Sequence, residues 1–340
     1  MELTPRQERL LSLIVEHFID TGEPVGSKFL STVYGSTISS ATIRNEMASL
    51  SKIGFIGQPH TSAGRIPSEA GYRYYIRFLM PGTPLTSAEK FAVLSKLDSA
   101  DGDADSIVRA AAGIISGLTD CVTLVSTPVM RDNSIARAEL ASVGKRTAMV
   151  IVRSKTGVLR QKVCRTDEEP DMENAQLFYK IAMNFFVGHR PEEINTAMLQ
   201  KIVSSLGAKA LVMMPLVTAL SELSKEESRA RVIIAGHENV FHHRELSPYA
   251  HSILDFLQHE EYLRHLTELT EEADVTIGPE NKFSELSGAA VIRVPYLIDG
   301  ETVGVFTLIG PVGMDYGRVI PILKYVAGVT GKLLTETAMS

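Results

Sequence analysis

The sequence is poor in cysteine. Only Cys121 and Cys164 are present, and neither belongs to a CxxC pair or to a cluster of cysteine and histidine. This excludes the usual cysteine-based zinc sites and redox pairs, and two isolated thiols are expected to stay reduced, as in a cytoplasmic protein. The amino terminus lacks the apolar segment of a signal peptide, and no apolar run reaches the roughly 18 residues of a membrane span.

The chain also has no overall excess of positive charge. It holds 34 lysines and arginines against 40 aspartates and glutamates, for a net charge of -6, which excludes a basic coat for nucleic acid over the whole surface. Positive charge is instead concentrated in residues 38–80, which contain five basic and two acidic residues. No P-loop, dinucleotide-binding glycine motif or arrangement of nucleophile and base stands out. The sequence therefore predicts no enzyme, no cofactor and no metal.

The first eighty residues have the pattern of a winged helix. Thr4 followed by Gln7 is a capping box, and Gly22 is a typical helix end, so a first helix is expected between them. A second helix is expected with Ser27 as its N-cap, and a third from Ser39 or Ser40 to Gly54. FIGQ and RIP then suit two short strands around a turn-rich loop, and a last helix is expected over residues 68–80.

The third helix carries the strongest indication of function. At about 100° per residue, Ile43, Met47 and Leu50 fall on one face and form its core side. The opposite face is small and nearly uncharged, which suits close approach to a major groove better than ordinary solvation. The expected base and groove contacts are Ser40, Thr42, Arg44, Asn45 and Ser49. The expected phosphate or wing contacts are Lys52, His60, Thr61, Ser62 and Arg65. A winged helix that docks on protein stays open as an alternative, with His60 then an ordinary loop residue.

Several runs of residues resemble the heat-inducible transcription repressors of the HrcA family. They are GEPVGSKFL (22–30), SSATIRNEMASL (39–50), GFIGQPHTSAGRIP (54–67), GYRYYIRF (71–78), VTIGPENKF (275–283) and GVFTLIGPVGMDYGRVI (304–320). The family usually has GPTRM in the last run, whereas this sequence has Val312 and Gly313 at the third and fourth positions. The arginine of that motif is therefore absent from this sequence.

The resemblance implies a homodimeric cytoplasmic repressor that binds double-stranded operator DNA. It implies an inverted-repeat operator before chaperone operons, release on heat stress, and help from the chaperonin in reaching the DNA-binding form. No membrane partner is expected. The alternative is a small-molecule-gated regulator, in which the turn-rich segment GPENKFSE (278–285) lines a ligand cavity.

The expected fold class is α+β with several domains. Helix and strand patterns place a winged helix-turn-helix in residues 1–80, and MPGTPLTSAE (80–89) follows as a linker. The resemblance implies a discontinuous GAF-like domain in 81–130 and 229–340, with an inserted α+β dimerisation domain in 131–228. Within the GAF-like part, Asp299-Gly300 marks a hairpin turn, and residues 253–269 are expected to form one helix.

Overall fold

A computed structural model describes residues 3–34, 39–59, 63–100, 103–129, 134–155, 157–166, 171–226 and 230–339. Helices and antiparallel sheets alternate along the chain, which confirms the mixed α+β class. Within these ranges, none of the helices combines the length and hydrophobicity needed to cross a membrane.

Three helices, a hairpin and a fourth helix form the N-terminal unit. Its elements are α1 (Pro5–Thr21), α2 (Ser27–Val33), α3 (Ser40–Lys52), β1 (Ile56–Gly57), β2 (Ile66–Pro67) and α4 (Glu69–Tyr74), which continues as a π-helical turn over Tyr75–Leu79. The predicted capping box is confirmed, because the Thr4 hydroxyl accepts from the Gln7 backbone and the Gln7 side chain accepts from Thr4 N. Ser27 is wrong as the N-cap of α2: Gly26 caps the helix and Ser27 is its first residue, without a side-chain cap.

A five-stranded antiparallel sheet forms the centre of the C-terminal part. Its strands, in spatial order, are β7 (Val232–Ala235), β3 (Val122–Ser126), β10 (Glu301–Pro311), β9 (Ala289–Ile298) and β8 (Asp274–Ile277). One face carries α5 (Ser87–Asp98), α6 (Ala104–Thr119) and α12 (Tyr316–Met339). The predicted hairpin at Asp299-Gly300 is confirmed, and both residues have positive φ.

The other face of this sheet is covered by α10 (Ala250–Phe256) and α11 (Glu260–Leu266). A single helix over residues 253–269 is therefore wrong, since the chain turns extended at His259. The break lets Tyr262 fold back on Phe256, with ring centroids 5.7 Å apart, and Phe283 packs at 5.0 Å from the same ring. Aromatic packing thus replaces the continuation of the helix.

A third unit lies between β3 and β7. It contains a three-stranded sheet, β4 (Ile135–Gly144), β5 (Thr147–Ser154) and β6 (Leu159–Arg165), and three helices, α7 (Met172–Phe185), α8 (Thr196–Leu206) and α9 (Ala210–Glu226). Its apolar core is separate from the two cores of the five-stranded sheet. Because β3 pairs with β7, the chain leaves and re-enters the large sheet at neighbouring strand ends, where Thr127 N donates to Arg231 O at 2.8 Å.

Candidate nucleic-acid interface

The third helix is anchored by one face and open on the other. Ile43, Met47 and Leu50 are buried as predicted, and the Ser39 hydroxyl caps the helix by accepting from Thr42 N at 3.2 Å. The exposed positions of the helix are Ser40, Ala41, Arg44, Asn45, Ala48 and Lys52. Four of the ten predicted contact residues therefore share one open surface with two small alanines, which allow a close approach of the backbone to a partner.

Two other predicted residues of α3 are half-buried and hydrogen-bonded within the N-terminal unit. The Ser49 hydroxyl is half-buried and accepts from Gln7 Nε2 of α1 at 3.3 Å. The Thr42 hydroxyl is half-buried and lies 3.0 Å from the Ser39 hydroxyl. Ser49 therefore sits in the packing between α1 and α3, and Thr42 at the start of the helix.

The one acid of α3 is placed away from the open face. Glu46 is half-buried, and its carboxylate lies 3.4 Å from Arg6 Nη1 of α1. The cationic side chains Arg44 and Lys52 therefore face outward without a neighbouring acid on the same surface of the helix. This arrangement favours an anionic partner.

Arg65 joins the hairpin to the helices. Its backbone exchanges two hydrogen bonds of 2.8 Å with Val25, and its guanidinium donates to the Gln58 side-chain oxygen. Gln58 in turn donates from Nε2 to Ala63 O at 3.0 Å, which closes the loop. At Gly64, a Cβ would lie 2.6 Å from the Val25 backbone, so only glycine allows this pairing. His60, Thr61 and Ser62 lie outside the described residues.

A cleft of about 370 Å³ separates the hairpin from α2 and α3. Arg44 and Arg65 both line it, and Arg44 Nε donates to the Ser27 hydroxyl at 3.3 Å. Two guanidinium groups on one open cleft suit a phosphate, which accepts forked hydrogen bonds. Sequence reasoning missed Ser27 and Gln58 as members of this cleft. The pairing of Gly57 with Ile66 across the hairpin places Gln58 opposite Arg65, and this register is the signal that identifies Gln58.

The segment 278–285 uses its polar groups within the protein. Asn281 accepts from the Thr276 hydroxyl at 2.6 Å and donates to the carbonyls of Leu286 and Ala289 at 2.8 and 2.9 Å. Glu280 accepts from Ile277 N at 2.8 Å. These groups hold the loop in shape, which disfavours the alternative in which the segment binds a ligand.

Comparisons with known proteins agree with the resemblance. A family model for the HrcA protein C terminal domain matches residues 105–320. The chain is 30% identical to the heat-inducible transcription repressor HrcA of Desulfitobacterium hafniense over 98% of this chain and 99% of that protein. It is 32% identical to the repressor of the same name from Desulforudis audaxviator over 99% of each. A crystal structure of a hypothetical protein covers 99% of this chain and 100% of its own, with a TM-score of 0.69 and 24% identity, and so shares the fold. The chain therefore belongs to the HrcA family of heat-inducible transcription repressors.

Proposed function

We propose that this chain is a homodimeric, cytoplasmic repressor of heat-shock chaperone operons. Each copy sets α3 of a winged-helix unit against one half of an inverted-repeat operator. The observation that carries this proposal is the open face of α3, which is small, polar and free of acids. A twofold dimer presents two such faces in opposite directions, which matches an inverted repeat.

The contacts divide by chemistry. Asn45 suits an adenine edge, and Ser40 and Thr42 suit nearby phosphates or base edges at the start of α3. Arg44 suits either a base edge or a phosphate, because it is on α3 and also lines the cleft with Arg65. Lys52, Arg65 and the loop residues His60, Thr61 and Ser62 complete the backbone contacts. Ser49 supports the surface from behind through Gln7.

Dimerisation is assigned to the inserted unit, residues 131–228. Support comes from α7, where Met172, Tyr179 and Met183 are exposed and, at about 100° per residue, fall within about 40° of one another. They form an apolar stripe opposite the face that packs into the core of the unit. An exposed apolar stripe of this kind marks an interaction surface, and a second copy of the chain would cover it.

Heat release and chaperonin assistance follow from the same surface. A copy that has lost its partner exposes the stripe on α7, and exposed apolar surface is what chaperones bind. Warming lowers the population of folded dimer, so operator occupancy falls by mass action. The chaperonin would return separated copies to the dimer.

The test is binding to a duplex from a chaperone promoter that contains an inverted repeat. A matched duplex with one half scrambled is the control, and both are measured by gel shift with and without chaperonin. We expect tight binding to the intact repeat, weaker binding to the control, loss on warming and recovery with chaperonin. Equal binding to the two duplexes would contradict the proposal.

A further inference from the structure

The fourth helix of the N-terminal unit docks on two turns of the C-terminal part. The first is Gly278–Glu280, the second is the turn at 312–315 with the first residues of α12, and both lie in the runs that resemble the family. Arg73 of α4 reaches the first turn, where Nε donates to Glu280 Oε1 at 3.2 Å and Nη2 pairs with Oε2. A forked pair of this kind fixes an angle as well as a distance.

The Glu280 carboxylate is oriented by its own turn as well as by Arg73. Its Oε2 accepts from Ile277 N at 2.8 Å, so the carboxylate is held against its own turn. The Arg73 and Glu280 side chains are 36% and 40% exposed, so solvent reaches both partners of the pair. The pair is therefore a geometric constraint between two units rather than a buried source of stability.

An aromatic contact supports the second turn. The rings of Tyr72 and Tyr316 have centroids 6.0 Å apart, and both residues are buried. Tyr316 is fixed by its hydroxyl, which donates to Val312 O at 2.8 Å. The apolar core of the N-terminal unit is continuous with that of α6 and α12 across this junction.

Two glycines lie close to the helix in these turns. A Cβ on Gly278 would lie 2.7 Å from the Glu69 carboxylate, and Gly278 also has a φ of +57°. A Cβ on Gly313 would lie 2.9 Å from Glu245 Oε1 and 3.3 Å from the Tyr72 hydroxyl. Gly278 therefore suits a left-handed backbone next to Glu69 of α4, and Gly313 lies close to Glu245 and to Tyr72 of α4.

The junction is not filled throughout. A cavity of about 480 Å³ lies beside these contacts, between the end of α1 and the turns around residues 242–245 and 313–319. The linker adds one more hydrogen bond to this junction, from Thr83 N to Gly317 O at 2.9 Å. The orientation of the N-terminal unit therefore depends on these polar contacts together with the apolar core that continues across the junction.

We propose that Arg73, Tyr72, Glu280 and Tyr316 form an interdomain latch that fixes the N-terminal unit at the angle required for two copies of α3 to bind one inverted repeat together. The four are positioning residues and do not touch DNA. The inference rests on the function proposed above. When the latch contacts are broken, each α3 can still bind its half-site. The two α3 helices of the dimer are then no longer held at the spacing and angle of the two half-sites.

The test compares Arg73→Ala and Glu280→Gln with the parent chain. Glu280→Gln keeps an acceptor for Ile277 N but loses the charge. Arg77→Ala is the matched control, because Arg77 is exposed one turn further along and stacks over Phe78. Binding is measured to a duplex with both half-sites and to one with a single half-site. We expect the latch variants to lose about 10-fold or more on the double site, with the single site unchanged, because linked binding depends on geometry.

A second readout needs no DNA. Spin labels at Glu23→Cys and Lys282→Cys, both exposed positions, report the distance between the two units. The latch variants are expected to broaden the distance distribution, and Arg77→Ala is expected to leave it narrow. An unchanged distribution, or an equal loss on the single and double sites, would overturn the latch. If the parent chain binds neither duplex, the proposed function fails, while the spin-label distances still decide the latch.

Discussion

The helices α3 and α7 are built alike on one side and differ on the other. They have 13 and 14 residues, and each buries an apolar stripe in the core of its own unit. The open side of α3 carries Asn45, Arg44 and two alanines, whereas the open side of α7 carries Met172, Tyr179 and Met183. The buried stripe holds each helix in its own unit, and the open side differs in the kind of partner that it suits. A polar, cationic face suits DNA, and an apolar face suits another protein surface.

Met183→Glu is expected to give the largest effect. A charge in the apolar stripe of α7 would be buried without a partner in the dimer, so the dimer should dissociate. Affinity for the full inverted repeat should then fall by about 100-fold or more, toward that of a single half-site. Sedimentation equilibrium and gel shifts measure the two effects.

Lys180→Glu is the control for this change. Lys180 is exposed on the same helix, about 60–100° around the helix axis from the three apolar side chains. It should leave the dimer intact. If the Met183→Glu variant remains a dimer, the assignment of the apolar stripe on α7 to the dimer contact is contradicted.

Asn45→Ala is expected to act only on specific binding. The loss should be about 1–3 kcal/mol for the inverted repeat and close to zero for unrelated DNA, because a base contact is removed and no charge is lost. Competition binding with the two DNAs measures the difference. An equal loss on both would remove Asn45 from the base contacts.

Arg65→Ala should do the opposite. It removes a cation from the cleft, so binding to all duplexes should weaken alike, and the slope of log affinity against log salt should flatten by about 0.9. Arg77→Ala is again the matched control, with no expected change in slope. Titrations at several salt concentrations separate the two, and an unaltered slope for Arg65→Ala would place this residue off the DNA.

Tyr72→Phe should have the smallest effect near neutral pH. The Tyr72 hydroxyl is buried with no hydrogen-bond partner among the described residues, so its removal should change the free energy of unfolding by less than about 0.5 kcal/mol. Burial, with Glu245 nearby, raises the pKa of Tyr72. The folded state therefore favours the neutral Tyr72 phenol. The contribution of this group to the free energy of unfolding is fully present below the pKa of an unfolded tyrosine, about 10, and is lost as the pH rises above that value.

The phenylalanine variant should therefore lose less stability than the parent chain above about pH 10. Denaturant unfolding at neutral and alkaline pH measures this difference. Identical alkaline slopes for the two chains would show that Tyr72 does not contribute to the linkage.

Local signals in the sequence were sufficient for much of the fold. The capping box at Thr4, the periodic stripe from Ile43 to Leu50 and the turn at Asp299-Gly300 each act within a few residues, and each is confirmed. The break at His259 was missed because it depends on Tyr262 packing against Phe256, a tertiary contact.

The contact surface was only partly predictable for a similar reason. Helical spacing identified Asn45 and Arg44 as outward residues, because that depends on α3 alone. It also counted Ser49, whose hydroxyl is engaged by Gln7, a residue 42 positions away in the sequence. The pairing of Arg73 with Glu280 joins residues 207 positions apart, and no local pattern contains it.

A photo-crosslinking side chain at Ala48 of α3 tests the DNA contact most directly. Ala48 is exposed beside Arg44 and Asn45, and Gln176, exposed within the α7 stripe, serves as the comparison site. With a duplex containing the inverted repeat, the probe at Ala48 should crosslink to bases in both halves of the repeat, and the probe at Gln176 should crosslink to a second copy of the chain. Crosslinks from Ala48 to protein alone, with the bases untouched, would contradict the assignment of α3 to DNA.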